Sequence, residues 1–387
     1  MDKKARVIAF YLPQFHPIPE NDKWWGKGFT EWTNVAKAKP LFRGHDQPRV
    51  PADLGFYDLR MPEVREMQAE LAREAGIEGF CYWHYWFGNG RMLLERPFRE
   101  VLASGKPDFP FCLGWANHSW STKTWIDKKG AVGNAVIAEQ TYPGVDDYRM
   151  HFDYVLPAFK DRRYLKVDGK PVFVIFAPLD IPDVSSFLSL WRQLAQEAGL
   201  NGIHFVGIVQ PSTRNDKKES VKDKLRMLNN DAWDYRYDEI LSLGFDAVNS
   251  RGLFRAESLA VGKFRRIYMA LMHRLLKGKY ILKFRYPAIV KNLYTSADSR
   301  EDVYPTLLPQ WDRSPRSGRN AVVYYDNSPA AFRKSVEEAC ELVKDKQDEH
   351  KILFLQSWNE WGEGNYIEPD LKFGHAYLDA LRDAIKR

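Results

Sequence analysis

Cysteine is scarce. Three thiols stand in 387 residues, Cys81, Cys112 and Cys340, in apolar or helical surroundings and without metal-binding spacing. They cannot make a disulfide framework and read as reduced core residues. Long apolar runs are also missing. None approaches the ~20 residues needed to cross a bilayer, and the apolar run in MDKKARVIAFYLPQFH stops at Pro13, too early for a signal peptide. The expected compartment is therefore the cytoplasm. Basic and aromatic residues do not interleave in the manner of an RNA-binding module, and a net charge of +6 is modest, so no nucleic-acid partner is expected. No His-x-x-x-His or clustered ligand spacing marks a metal site, and no metal or other cofactor is expected. No Gly-rich turn follows the first strand, which argues against a doubly wound nucleotide-binding sheet. Internal repeats and low-complexity tracts are absent.

Aromatic residues are in excess: 14% of the chain, including 13 Trp, many in loop-like contexts where core packing accounts for them poorly. The stretch around which the rest is organised is Lys351–Glu368, KILFLQSWNEWGEGNYIE. Its apolar run Ile352–Leu355 predicts a buried strand. Two carboxylates follow, Glu360 and Glu363, set among Trp358, Asn359, Trp361 and glycines that permit sharp turns. Indole faces cover the C–H surface of a sugar, while carboxylates handle its hydroxyls and protons. Glu360 and Glu363 are accordingly the candidate catalytic residues.

Strand and helix signals alternate along the chain. Strands are predicted at Val7–Leu12, Gly79–Trp86, Phe109–Trp115, Pro171–Ala177, His204–Val209, Phe245–Val248, Tyr304–Trp311 and Ile352–Ser357. Helices are predicted at Pro62–Gly76, Leu93–Ala103, Tyr148–Phe159, Ser185–Ala198, Pro329–Lys344 and Leu371–Ile385. The chemically suggestive residues fall just past a strand each time. This pattern is that of an α/β fold, a (β/α)8 TIM-type barrel with long aromatic βα loops, whose site lies at the C-terminal ends of the strands. The first such loop, roughly forty Trp- and Pro-rich residues, is too aromatic for disorder. A single domain is expected over residues 1–387, with an insertion at 214–300 that includes a charged surface excursion, Lys217–Asp238. Ile352–Ser357 should lie parallel to Val7–Leu12 and close the sheet.

Four stretches carry a resemblance: FYLPQFHPIPENDKWWGKGFTEWTN, PLFRGHDQPRVPADLGFYDLR, GFCYWHYWF and QSWNEWGEGNYIEPD. Together they resemble the WbsX-type, glycoside hydrolase family 99-like proteins associated with bacterial surface-polysaccharide synthesis, and the likeness runs over nearly the whole chain. It implies a retaining glycoside hydrolase or transglycosylase acting on an α-linked, mannose-like glycan of O-antigen, lipopolysaccharide or capsular type. In the family-99 endo-α-mannosidases a similar Asn-Glu-Trp-x-Glu-Gly segment carries both catalytic acids. By that resemblance Glu360 is the base on the substrate's own 2-hydroxyl, which attacks C1 to give a 1,2-anhydro sugar, and Glu363 is the acid/base at the leaving group. One departure stands out. WbsX-type proteins usually carry Trp-Ala-Asn-Glu-Asn-Trp after the third strand, whereas Trp115-Ala116-Asn117-His118-Ser119-Trp120 puts His118 in place of the acid. Two other readings stay open: a glycosyltransferase using nucleotide sugars, against which no Asp-x-Asp site is visible, and a non-catalytic glycan-binding barrel.

Candidates for stacking on or hydrogen bonding to an oligo- or polysaccharide come from several strand ends: Tyr11, His16, Trp25, Trp32, His84, Tyr85, Trp115, Asn117 and Asp312, with Trp358, Asn359 and Trp361 beside the acids. Tyr366 and Glu368 are expected to shape the loop. Between Glu257 and Asp298 the chain has no acidic residue, while Lys263, Arg265, Arg266, Arg274, Lys277, Lys279, Lys283, Arg285 and Lys291 alternate with apolar residues. Lys263–Lys291 is thus a basic amphipathic segment, read either as a solvated barrel flank or as a peripheral contact with anionic lipid at the inner face of a membrane.

Overall fold

The computed structural model describes residues 3–121, 135–210, 232–276 and 279–386. Most of the predicted excursion Lys217–Asp238, and Lys277, lie outside these residues. Nine short strands form the staves of a parallel barrel: β1 Arg6–Tyr11, β2 Gly79–Trp86, β3 Phe111–Trp115, β4 Lys170–Ile175, β5 His204–Ile208, β6 Ala247–Asn249, β7 Val303–Tyr304, β8 Thr306–Leu307 and β9 Ile352–Leu355. They are rich in β-branched and aromatic residues and buried almost throughout, as strands covered on both faces must be.

Strands β1 to β6 pair in sequence order, all parallel. The predicted pairing of the first and last strands is present, with Arg6 opposite Ile352 and Ala9 opposite Leu355. Strands β7 and β8 are halves of one stave broken at Pro305, which has no N–H to give to a ladder. The first half pairs with β6 and the second with β9, closing the (β/α)8 barrel. The predicted strand Tyr304–Trp311 is therefore cut short at both its proline and Leu307.

Helices surround the barrel, three of them opening on a proline in the first turn, where its missing N–H costs nothing: Pro62–Glu74, Arg96–Ser104 and Pro329–Val343. The closing helix starts at Ala376, later than predicted. The aromatic loop after β1 is more ordered than expected. It contains helices Pro19–Trp25 and Glu31–Lys37, the second started by a Thr30/Thr33 capping box.

Strand β6 lies inside the predicted insertion 214–300, and the described part of the excursion from the barrel follows it. Helices Leu253–Val261 and Lys263–Leu275 lead to a strand, Leu282–Arg285, that pairs in parallel with Val322–Tyr325 outside the barrel. Met269, Phe284, Tyr286, Ile289, Leu308 and Tyr324 form a second, smaller core beneath them. Among the described residues no helix is long and apolar enough to cross a membrane.

Candidate active site

At the C-terminal ends of the strands the barrel opens into a cleft of about 450 Å³, a size common for small-molecule sites. Glu360 and Glu363 both line it. The loop that presents them is held from below. Asn359 donates to Leu12 O (3.0 Å) and accepts from Leu12 N (2.7 Å), clipping the loop to β1. Ser357 Oγ accepts from Glu360 N at 3.0 Å. Trp361 stacks on Tyr366 at 3.7 Å and donates to Glu368 at 2.6 Å, while Trp358 packs on Phe80. Glu368 also accepts from Gln68 and Tyr57, which fits its expected place in shaping the loop. The indoles and amide beside the acids thus serve as the mount, while the two acids line the cleft together with Gln356 and Ser357. Gly362 permits this: a Cβ there would sit 1.6 Å from Glu31 Oε1.

The acids share one cation. Arg316, on the short helix Ser314–Ser317, donates from Nε to Glu31 (2.8 Å) and from Nη2 to Glu360 (2.8 Å), and its Nη1 meets Glu363 at 2.9 Å. Glu363 has further partners, Arg313 at 3.1 Å and the Asn365 amide at 3.3 Å. The two carboxylates therefore differ. Burial pushes Glu360 up to about 7, with Arg316 pulling it down and Glu363 and Glu31 adding to the rise. Burial acts on Glu363 in the same direction, but Arg313, Arg316 and Arg251 together outweigh it and hold that carboxyl below its ordinary value. Burial also raises Glu31, against the pull of Arg316.

The walls are aromatic: Phe10, Trp83, Tyr85, Trp120, Phe176, Phe254 and Trp311. His118, the residue in the place of the family acid, is on the lining 4.8 Å from the Phe176 ring. Burial lowers it to about 4, partly offset by Glu363. Arg251 lies over Phe10 and Phe176 at 5.5 and 5.6 Å and has no hydrogen-bond or ion-pair partner among the described residues. Among the described residues no group of three or more His, Cys, Asp or Glu is placed to hold a metal ion.

Of the predicted contact residues, only Tyr85 joins the two acids on the lining. Tyr11, His84 and Trp115 belong to the outer faces of their strands. Tyr11 donates to Gln68 on the helix outside β1 (2.6 Å), His84 meets His151 (2.9 Å), and Trp115 donates to Trp86 O (2.9 Å). Side chains alternate across a strand, so the cleft belongs to Phe10, Trp83 and Tyr85 one position away. His16 is buried against Pro13 O, and Trp32 packs under the loop on Trp361 (5.3 Å) while donating to Tyr57 O. Trp25 packs on Phe29, and it is Trp24 that touches the cleft residue Trp120. Asn117 ties the end of β3 to Ala177 (2.8 Å). Asp312 accepts from His45, Gln47 and Ser314 N, fixing the first loop and starting the helix that carries Arg316.

Sequence reasoning missed Arg316 and Glu31. Glu31 stands in one of the stretches singled out and Arg316 in none, and only tertiary contact brings them to the acids. A hint was available in Arg313 and Arg316, two cations just past a strand where the site of a barrel must lie.

The sequence profile of the family described as Glycosyltransferase WbsX matches residues 7–381. Two WxcX proteins from Xanthomonas campestris pv. campestris, of strains B100 and ATCC 33913, are each 34% identical over 384 residues, covering 99% of this chain and 50% of theirs. The chain thus spans about half the length of these curated relatives. Among solved structures, a glycoside hydrolase-like protein aligns with a TM-score of 0.61 at 17% identity, over 100% of this chain and 95% of that one. A family-99 endo-α-mannosidase from Bacteroides thetaiotaomicron aligns with a TM-score of 0.47 at 15% identity, over 99% of each chain.

Proposed function

The chain belongs to the WbsX glycosyltransferase family, and from that premise we propose a carbohydrate-active enzyme of surface-polysaccharide metabolism that breaks or transfers an α-linked, mannose-like glycosidic bond with retention. The observation that carries the reading is the pair of carboxylates in one aromatic cleft, held in opposite electrostatic environments. When two acids are pushed apart in this way, the raised one suits proton transfer and the lowered one suits a permanent anion.

In this scheme Glu360 protonates the glycosidic oxygen as the C1–O bond breaks. Glu363 attacks C1 from the other face to form a glycosyl ester. Water or an acceptor hydroxyl then gives its proton to Glu360 and displaces Glu363, restoring both carboxyls and the original anomeric configuration. This allocation moves the acid/base role that the family resemblance gave Glu363 to Glu360, and replaces attack by the 2-hydroxyl with attack by Glu363. The reason is the clamp: a carboxylate held by two guanidinia is a weak base for a sugar hydroxyl but a stable nucleophile and leaving group.

The test is a screen of bacterial surface glycans with mass-spectrometric readout, with and without nucleotide sugars. Products from glycan alone are expected, and a product that forms only with a nucleotide sugar would replace this reading. That second outcome has one observation in its favour. Arg251, whose Nε has no hydrogen-bond partner among the described residues, stands on the same lining as the Glu363-paired Arg313, and two guanidinia suit a diphosphate. Turnover is also expected to survive exhaustive chelation, because Glu360 carries the proton transfers and Glu363 the covalent step. Loss of turnover with EDTA, restored by a divalent cation, would count against it.

The pH profile follows from the two environments. Below about 7 Glu360 holds its proton and can act as an acid, and above that value the free enzyme loses it. kcat/KM should therefore fall on the alkaline side with a midpoint near neutrality, and the acid limb should lie below the ordinary carboxylate range. A profile flat through neutrality into the alkaline range would remove Glu360 from the acid's role.

A further inference from the structure

The helix Lys263–Leu275 leaves its apolar face uncovered. Of the sixteen exposed large apolar side chains among the described residues, six fall in residues 264–276: Phe264, Ile267, Tyr268, Leu271, Leu275 and Leu276. That concentration makes a patch and not the ordinary scatter of surface residues. Phe264 is 91% exposed. The first five recur at intervals of three and four, so at 3.6 residues per turn they share an arc of about 100°.

The opposite side of the helix is anchored. Met269 is buried in the small second core, and Arg266 pairs with Glu257 at 2.7 Å and lies over Phe254 and Phe284. His273 Nδ1 contacts Tyr280 O at 2.7 Å. The helix is thus held rigidly with its greasy side outward. By the same helical geometry Arg265 and Arg274 sit on the two shoulders of the apolar arc. Both are exposed, and neither has a carboxylate partner among the described residues. No acidic residue occurs between Glu257 and Asp298 to oppose them.

We propose that this helix is an interfacial anchor that seats the protein on an anionic lipid surface, with Phe264, Ile267, Tyr268, Leu271 and Leu275 entering the headgroup boundary and Arg265 and Arg274 meeting lipid phosphates. An apolar arc bordered on both sides by unpaired cations matches the layered chemistry of such a surface. A protein partner would be expected to bring acids of its own to this face, and nothing else in the segment calls for one. The proposal is independent of the chemistry in the cleft, although the two are physically close: Arg266 of this helix touches Phe254, which lines the cleft. Docking would therefore hold the cleft at the membrane, where a glycan carried on a lipid is presented.

The experiment is co-sedimentation of the full chain with vesicles of phosphatidylcholine alone or mixed with phosphatidylglycerol, at low and high salt. Binding to the anionic vesicles is expected, weakened by salt. Phe264→Asp with Leu271→Asp should abolish it. Arg265→Gln with Arg274→Gln should reduce it roughly thirtyfold and weaken its dependence on lipid charge and salt. These side chains are exposed, so thermal unfolding should be unchanged in all variants and serves as the control. Absence of binding at low salt overturns the proposal. So does equal binding by the Phe264/Leu271 variant. A concentration-dependent dimer in sedimentation velocity, lost in that variant and present without lipid, would assign the face to a second copy instead.

Discussion

Glu363→Gln is expected to lower kcat/KM by about 10⁴-fold or more on every glycoside, whatever its leaving group. Glu360→Gln should lose about 10²–10⁴-fold on a natural sugar leaving group, yet recover most of its rate on an activated aryl glycoside, which departs without needing a proton. The contrast follows from the contacts. Glu363 is gripped by Arg313, Arg316 and Asn365, whereas Glu360 takes one donation, from Arg316. A 2-deoxy-2-fluoro glycoside with a good leaving group should leave a sugar covalently on Glu363, visible by intact mass. No adduct, together with an inert 2-deoxy substrate, would restore the 2-hydroxyl route that the family resemblance implies. If the activated substrate rescued Glu363→Gln and not Glu360→Gln, the two roles would have to be exchanged.

Arg316→Met should be the most destabilising single change in the cleft. The guanidinium has a side chain only 11% exposed and faces Glu31, Glu360 and Glu363. Removing one partner of a buried ion pair strands the other, at a cost of about 3–5 kcal/mol. The sign of the pH dependence follows. Without Arg316, burial and the neighbouring carboxylates act unopposed on Glu31 and Glu360 and raise them further above their unfolded values. A carboxyl raised on folding stabilises the native state below its unfolded pKa and loses that contribution as pH rises through its folded pKa. The variant should therefore lose most stability in mildly alkaline buffer and recover part of it in mild acid, as read by thermal unfolding of both proteins across that range. Equal loss at all pH values would mean that packing, and not stranded charge, sets the defect.

The barrel was legible because alternation of strand and helix is a property of composition and spacing, and it survives errors at element ends. Ile352–Leu355 beside Arg6–Tyr11 follows from this alone. The acids were legible for a similar reason: two carboxylates on a Gly- and Trp-rich turn past a buried strand have few structural uses. The walls of the cleft were not. In GFCYWHYW every residue is buried, so burial cannot say which alternate set faces inward: the sequence suggests His84 beside Tyr85, whereas Trp83 and Tyr85 do the lining. The same one-position slip placed Tyr11 ahead of Phe10. Arg316 and Glu31 were illegible for a different reason, since their spacing in the chain says nothing about their 2.8 Å contact. The basic segment showed its amphipathic pattern in sequence, but only the structure says which face is turned outward.

The seam between the first loop and the loops after β8 and β9 has a consequence for how the protein is made. Glu31 and Arg316 are 285 positions apart, and the same seam joins Tyr57 to Glu368, Arg49 to Gln310 and Ala52 N to Pro369 O. A ribosome delivers these partners far apart in time. Until the chain past β8 has emerged, the first loop lacks these partners, and Glu31 is without the guanidinium of Arg316. Contacts of such long range slow the final closure and leave partly folded chains exposed to aggregation. They also keep a growing chain inert toward glycans, because the charge set of the cleft forms only as the barrel shuts.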